Sequence, residues 1–154
     1  MSDLGSALAI TGGVLLFVLL IIVGAYLLGA FATRRVLLYF GHERPWMAFI
    51  PVVSTIACVQ CMQTDAEGNV ALFGQNIKRD IFQWYPLITI VVAFVPVIGS
   101  LVSTVANIIA SAHMYKDLLS AESGQDEAVL AWVSAFIPIV WLVLCYVKFN
   151  RNKY

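Results

Sequence analysis

The chain has 154 residues, 61% of them apolar and 12% charged, with nine basic and nine acidic side chains and a net charge of zero. A soluble domain carries about 25% charged residues, so the composition excludes an ordinary soluble globule. Basic residues occur singly or in pairs, with no basic stripe and no aromatic interleaving, which excludes nucleic acid as a partner.

The length suits one integral membrane domain over residues 1–154. The first apolar segment covers about residues 7–33 and ends at Arg34 and Arg35. Ala30-Phe31-Ala32 has the look of a signal cleavage site. The apolar run, however, is about twice a signal-peptide core and has no basic residue before Arg34, so a retained helix is expected. Ala25, Gly29 and Thr33 lie four apart, a spacing of small residues that lets helices approach closely. Gly41 to Trp46 is a polar turn. Residues 46–62 are apolar, interrupted by Pro51, and shorter than the roughly 20 residues of a straight span. They are expected to dip in and return, or to form a short fourth span. A polar loop, 62–69, precedes an interfacial segment over 70–82. Trp84 and Tyr85 then mark the headgroup level.

The second long apolar segment covers about residues 86–110. Ser100, Ser103, Thr104, Asn107 and Ser111 fall on one helical face of it, by their offsets. Residues 113–127 form the most acidic loop, where Ser123 and Asp126 have capping-box spacing. The last segment, about 128–147, passes through Pro138 and leads to a basic tail.

One motif recurs three times: Ala48-Phe49-Ile50-Pro51-Val52-Val53, Ala93-Phe94-Val95-Pro96-Val97-Ile98 and Ala135-Phe136-Ile137-Pro138-Ile139-Val140. Proline in an apolar helix removes a donor and crowds the preceding turn. Pro51, Pro96 and Pro138 therefore predict kinks or breaks against other protein. The expected fold is an all-α membrane bundle with three Pro-kinked transmembrane helices and one re-entrant or interfacial segment; four spans are the alternative. With three spans and the N-terminus outside, only Lys116 among the basic residues falls outside. Basic residues favour the cytoplasmic side, so residues 62–80 and the C-terminus are expected inside and 115–127 outside.

Pro45 to Pro51, Trp84 leading to Phe94-Val95-Pro96, and Phe136-Ile137-Pro138 together resemble a group of small bacterial membrane proteins of unknown function with repeated Trp and Ile-Pro motifs. Ser54, Gly99 and Trp141 stand where that group often has Asn. The resemblance implies a bacterial envelope protein and no particular activity; the expected location is the bacterial cytoplasmic membrane.

Catalytic signals are sparse. Cys58 and Cys61 form a C-x-x-C pair like that of membrane thiol-disulfide oxidoreductases, but Cys145 is single and a relay needs a second pair. His42 and His113 are far apart, so no metal site is expected, and no cofactor motif is present. No charged residue lies well inside an expected span, which counts against ion-coupled transport. The expected function is that of a non-enzymatic accessory or scaffold subunit, with the lipid bilayer and other membrane-protein subunits or a second copy as partners. The alternatives are a small channel, holin-like pore or carrier lined by the Ser/Thr/Asn stripe, and a redox enzyme using Cys58 and Cys61.

Overall fold

A computed structural model describes residues 2–72, 75–96 and 98–150. Phe73, Gly74, Val97 and the basic tail 151–154 lie outside the described residues. The elements are α1 (Ser2–Tyr39), a 3-10 helix (Pro45–Phe49), α2 (Val53–Gln60), β1 (Asn69–Leu72), β2 (Gln75–Lys78), α3 (Arg79–Phe82), α4 (Tyr85–Ala93), α5 (Gly99–Ser123), α6 (Ala128–Phe136) and α7 (Pro138–Val147).

α1 is the one helix among the described residues long and apolar enough to cross a membrane. Its residues 11–28 are exposed, while Ala32, Val36 and Leu37 near its end are buried in the core. The other two expected spans are not continuous helices. The segment 86–110 is divided between α4 and α5, and 128–147 between α6 and α7. Nine or ten residues of helix rise only about 14 Å, half of a bilayer core of about 30 Å. The expectation of three kinked spans is therefore corrected to one helix long and apolar enough to cross, with the other apolar segments each divided between two helices.

At each of the three prolines the chain reverses. Thr89 and Ser103 meet through a hydrogen bond, Ser103 Oγ to the Thr89 carbonyl at 2.6 Å, and their midpoint in sequence is Pro96. His42 Nε2 and Gln60 Oε1 meet at 3.0 Å, with Pro51 midway. Lys148 Nζ and Glu127 Oε1 meet at 2.7 Å, with Ile137 and Pro138 midway. A straight helix would hold that last pair about 30 Å apart. The recurrent Phe-aliphatic-Pro motif is thus a hairpin tip, and residues 46–62 fold back rather than cross.

The local chemistry of the tips explains the reversal. Proline cannot donate, so the helix before it has no bond to continue through. At two tips the proline carbonyl accepts a bond from the residue two ahead: Val53 N to Pro51 O and Ile98 N to Pro96 O, at 2.8 and 2.9 Å. These are three-residue turns, the tightest available reversal. The first places Val52 at φ 68°, ψ −52°. That conformation is strained for a β-branched residue.

The ends opposite the tips gather into a buried base. Leu37, Val59, Leu118, Leu119, Cys145 and Phe149 are fully enclosed there. Phe149 stacks edge-on against Tyr39 and lies near Phe40 and Trp141, so the start of the expected tail is core. The expected interfacial segment 70–82 contains an antiparallel hairpin, with Asn69 opposite Lys78 and Leu72 opposite Gln75. The capping box does not form. Ser123 Oγ turns back to the Leu119 carbonyl, and Asp126 accepts from the Ala128 N–H instead.

The expected separation of 115–127 from residues 62–80 and 148 is not what the contacts show. Gln63 N donates to Asp117 Oδ2 at 2.7 Å. Lys148 pairs with both Glu127 and Glu122. The segment 115–127 is the end of α5 and the turn after it, and it touches both residue 63 and residue 148.

Candidate functional site

The polar residues of α5 divide between two surroundings. Ser103 faces α4 through its bond to Thr89, and Ser111 Oγ lies 3.3 Å from the Tyr85 hydroxyl. Thr89 in turn donates to the Pro86 carbonyl at 2.9 Å. These hydroxyls tie the two arms of the middle hairpin together. Ser100, Thr104 and Asn107 are exposed. Thr104 folds its hydroxyl back onto the Ser100 carbonyl at 2.8 Å, a bond any helical threonine can make. Asn107 presents its amide outward with no side-chain partner among the described residues. The helices packed on α5 are α4 and α6. The stripe is therefore half seam and half open face, because α4 covers only one edge of its arc.

A second polar constellation lies where the 3-10 helix, α2 and α3 meet. His42, Arg44, Gln60, Arg79, Asp80 and Gln83 line a cavity of about 640 Å³. The Arg44 N–H donates to His42 Nδ1 at 3.1 Å, so Nδ1 is an acceptor and Nε2 carries the proton. Nε2 then donates to Gln60 Oε1, and Gln60 Nε2 donates to Gln83 Oε1 at 3.1 Å. Arg79 Nη1 holds the Gln60 carbonyl at 3.2 Å. These bonds link His42, Gln60 and Gln83 in a chain beside the Arg44 and Arg79 guanidinium groups. Nothing in the sequence joined these residues beforehand. The available signal is that Gln60 and Gln83 sit at the polar ends of two apolar stretches.

Cys61 lines the same cavity. Burial pushes its thiol up to about 11, against the pull of the Arg79 charge. A thiol so placed is not activated, since nucleophilic cysteines have depressed values. Cys58 is buried one turn earlier and Cys145 is buried in α7. All three are free thiols. Among the described residues no group of three or more His, Cys, Asp or Glu side chains gathers around a point that a metal would occupy. His113 stands edge-on to Trp132, 6.2 Å between ring centroids. Burial disfavours the charged form of Asp117 and holds its carboxyl above the ordinary value, while the Gln63 N–H pulls the other way.

An apolar groove of about 560 Å³ runs between α1, the first hairpin and α7. Tyr26, Gly29, Ser54, Tyr115, Trp141 and Leu142 line it. Tyr115 and Trp141 stack face to face at 3.8 Å and close its lower end. Gly24 and Gly29 have open space where a side chain would stand. Gly24 and Gly29 are thus not used for close helix approach within this chain, whereas Ala30 and Ala32 further along are buried.

Comparison with protein families, with characterised proteins and with solved structures finds no match to this chain.

Proposed function

We propose that this is a non-enzymatic accessory or scaffold subunit of the bacterial cytoplasmic membrane. It would pack the open face of α5 against another membrane protein or a second copy of itself. The observation that carries this reading is Asn107. It lies eight residues, about 12 Å, along the helix from the hairpin tip, in a stretch without charges, and its amide points out of the fold. An amide with two donors and an acceptor is costly against acyl chains and favourable against another polar helix. Gly24 and Gly29 on α1 supply a second open surface suited to close packing. The N-terminus would be outside and the C-terminus cytoplasmic, supported by Arg34 and Arg35 at the end of α1 and Lys148 after α7. The divided stripe speaks against a pore lined by all five of its residues.

The test is the mass of the detergent-solubilised protein, with crosslinking before extraction. Asn107→Leu should weaken recovery of the complex by roughly 0.6–2 kcal/mol of association, with insertion unchanged. A strictly monomeric wild type with no co-purifying subunit would falsify the reading.

A further inference from the structure

We propose that the three proline-tipped hairpins enter the bilayer from the side that carries the charges, and that none of them crosses it. The tips would form a lipid-embedded wedge beside α1, the single crossing helix. The direction of each hairpin follows from its contacts. Phe49, at the first tip, accepts a hydrogen bond from the Tyr26 hydroxyl and packs edge-on to Phe31. Pro138 and Ile139, at the third, border the groove beside Ala25 and Gly29. At the other end of α1 the Arg35 guanidinium sits 4.3 Å over the Tyr146 ring and Tyr39 packs on Phe149, both at the base of the third hairpin, while the base of the first, at His42, follows directly on the end of α1 at Tyr39. Both tips therefore point along α1 toward its N-terminus. α5 runs from the middle tip down to Ser123, where Lys148 binds Glu122 and Glu127. The middle tip points the same way.

Charge and length fit a lipid occupant. Residues 45–60, 81–112 and 128–147 contain no Asp, Glu, Lys or Arg, and the proline stands near the middle of each. Every described charge after Asp3 lies at the end of α1, just before the first stretch (Glu43, Arg44), between the stretches, or just after the last (Lys148). Trp46, Trp84 and Trp132 stand near the start of each stretch, where indole rings favour the headgroup level. The arms rise roughly 10–20 Å, short of the core thickness of about 30 Å, and the middle hairpin is the deepest. The tips themselves are apolar and open: Phe94 is 83% exposed, Phe136 65% and Ile139 67%. At the first two turns the Val53 and Ile98 N–H groups donate to the Pro51 and Pro96 carbonyls. The inference does not depend on the assembly reading.

Wild-type protein in right-side-out and inverted membrane vesicles is treated with a membrane-impermeant amine-acylating reagent, and peptides are read by mass. Lys78 and Lys116 should be modified in inverted vesicles and stay at background in right-side-out ones. Modification of Lys116 from the outside would overturn the proposal, because kinked spans place it there. For the lipid contact, Val95→Cys in a Cys61→Ser background carries a spin label. Oxygen should relax it strongly and a water-soluble nickel chelate should not, with the reverse at Glu67→Cys. Access of nickel to residue 95 from the outer side means a crossing, and from the inner side means a hairpin in water. Either result overturns the proposal.

Discussion

Gly99 sits where α5 begins directly against the end of α4, and its substitution tests the middle hairpin most sharply. A Cβ built on Gly99 would stand 2.3 Å from the Val92 carbonyl oxygen and 2.8 Å from Val95 Cβ. Both are inside any real contact distance, and the first obstacle is backbone, which cannot rotate away. Overpacking of this kind costs about 1–3 kcal/mol. Alanine recovers roughly 0.5–1 kcal/mol of that through its better helix propensity. Gly99→Ala should therefore destabilise the protein by about 1–2 kcal/mol net. Gly24→Ala is the control, because nothing lies within 4 Å of the added methyl. It should be neutral or stabilise by about 0.4–1 kcal/mol. The assay is denaturant unfolding in mixed micelles under monomeric conditions, followed by tryptophan fluorescence. Equal stability of the two variants would refute the tight reversal at Pro96, since a kinked continuous helix has room for a methyl at residue 99.

Other consequences are open to direct measurement. Lys148→Met removes the partner of Glu127 and Glu122, two half-buried carboxylates. It should cost about 1.5–3 kcal/mol, much of it restored when both glutamates become glutamine; no loss would mean the third hairpin is not held shut at its base. Phe149→Ala should cost about 3–5 kcal/mol as a large core truncation, whereas a residue of a solvated tail would cost nothing in the same unfolding assay. Val52→Gly should leave stability unchanged or raise it despite the lost side chain, because glycine relieves the positive φ; a clear loss would remove the strain argument. The Asn69 N–H and further donors in the 65–69 loop hold the Asp65 carboxyl below its usual range. Depressed acids stabilise above their unfolded value and lose that contribution as pH falls through the folded one. The Asn69 amide resonance should thus shift below the ordinary carboxylate range and not between neutral pH and that range. Cys61, pushed up to about 11, should alkylate more slowly at neutral pH than a free cysteine by about two orders of magnitude.

The sequence alone was enough to fix the chemical class and the positions of the breaks. A long uncharged run ending at Arg34 and Arg35 makes α1 long and apolar enough to cross a membrane whatever it packs on, because length and hydropathy are local properties. Proline likewise removes a donor wherever it stands, so Pro51, Pro96 and Pro138 were legible as interruptions. Whether an interruption bends a helix or reverses it is not local. Both outcomes lose the same hydrogen bonds, and the choice lies with what the two arms meet. Here Ser103 finds the Thr89 carbonyl, Glu127 finds Lys148, and Gln60 finds both His42 and Gln83, all across large sequence separations. Charge counting placed Lys116 alone outside because it took the arms to be continuous. Once each hairpin folds back, Lys116 joins the other basic residues without any change in sequence. The candidate site divides in the same way. Helical spacing put Ser100 to Ser111 on one face, but only the docking of α4 decided which hydroxyls are satisfied within the chain and left Asn107 facing out.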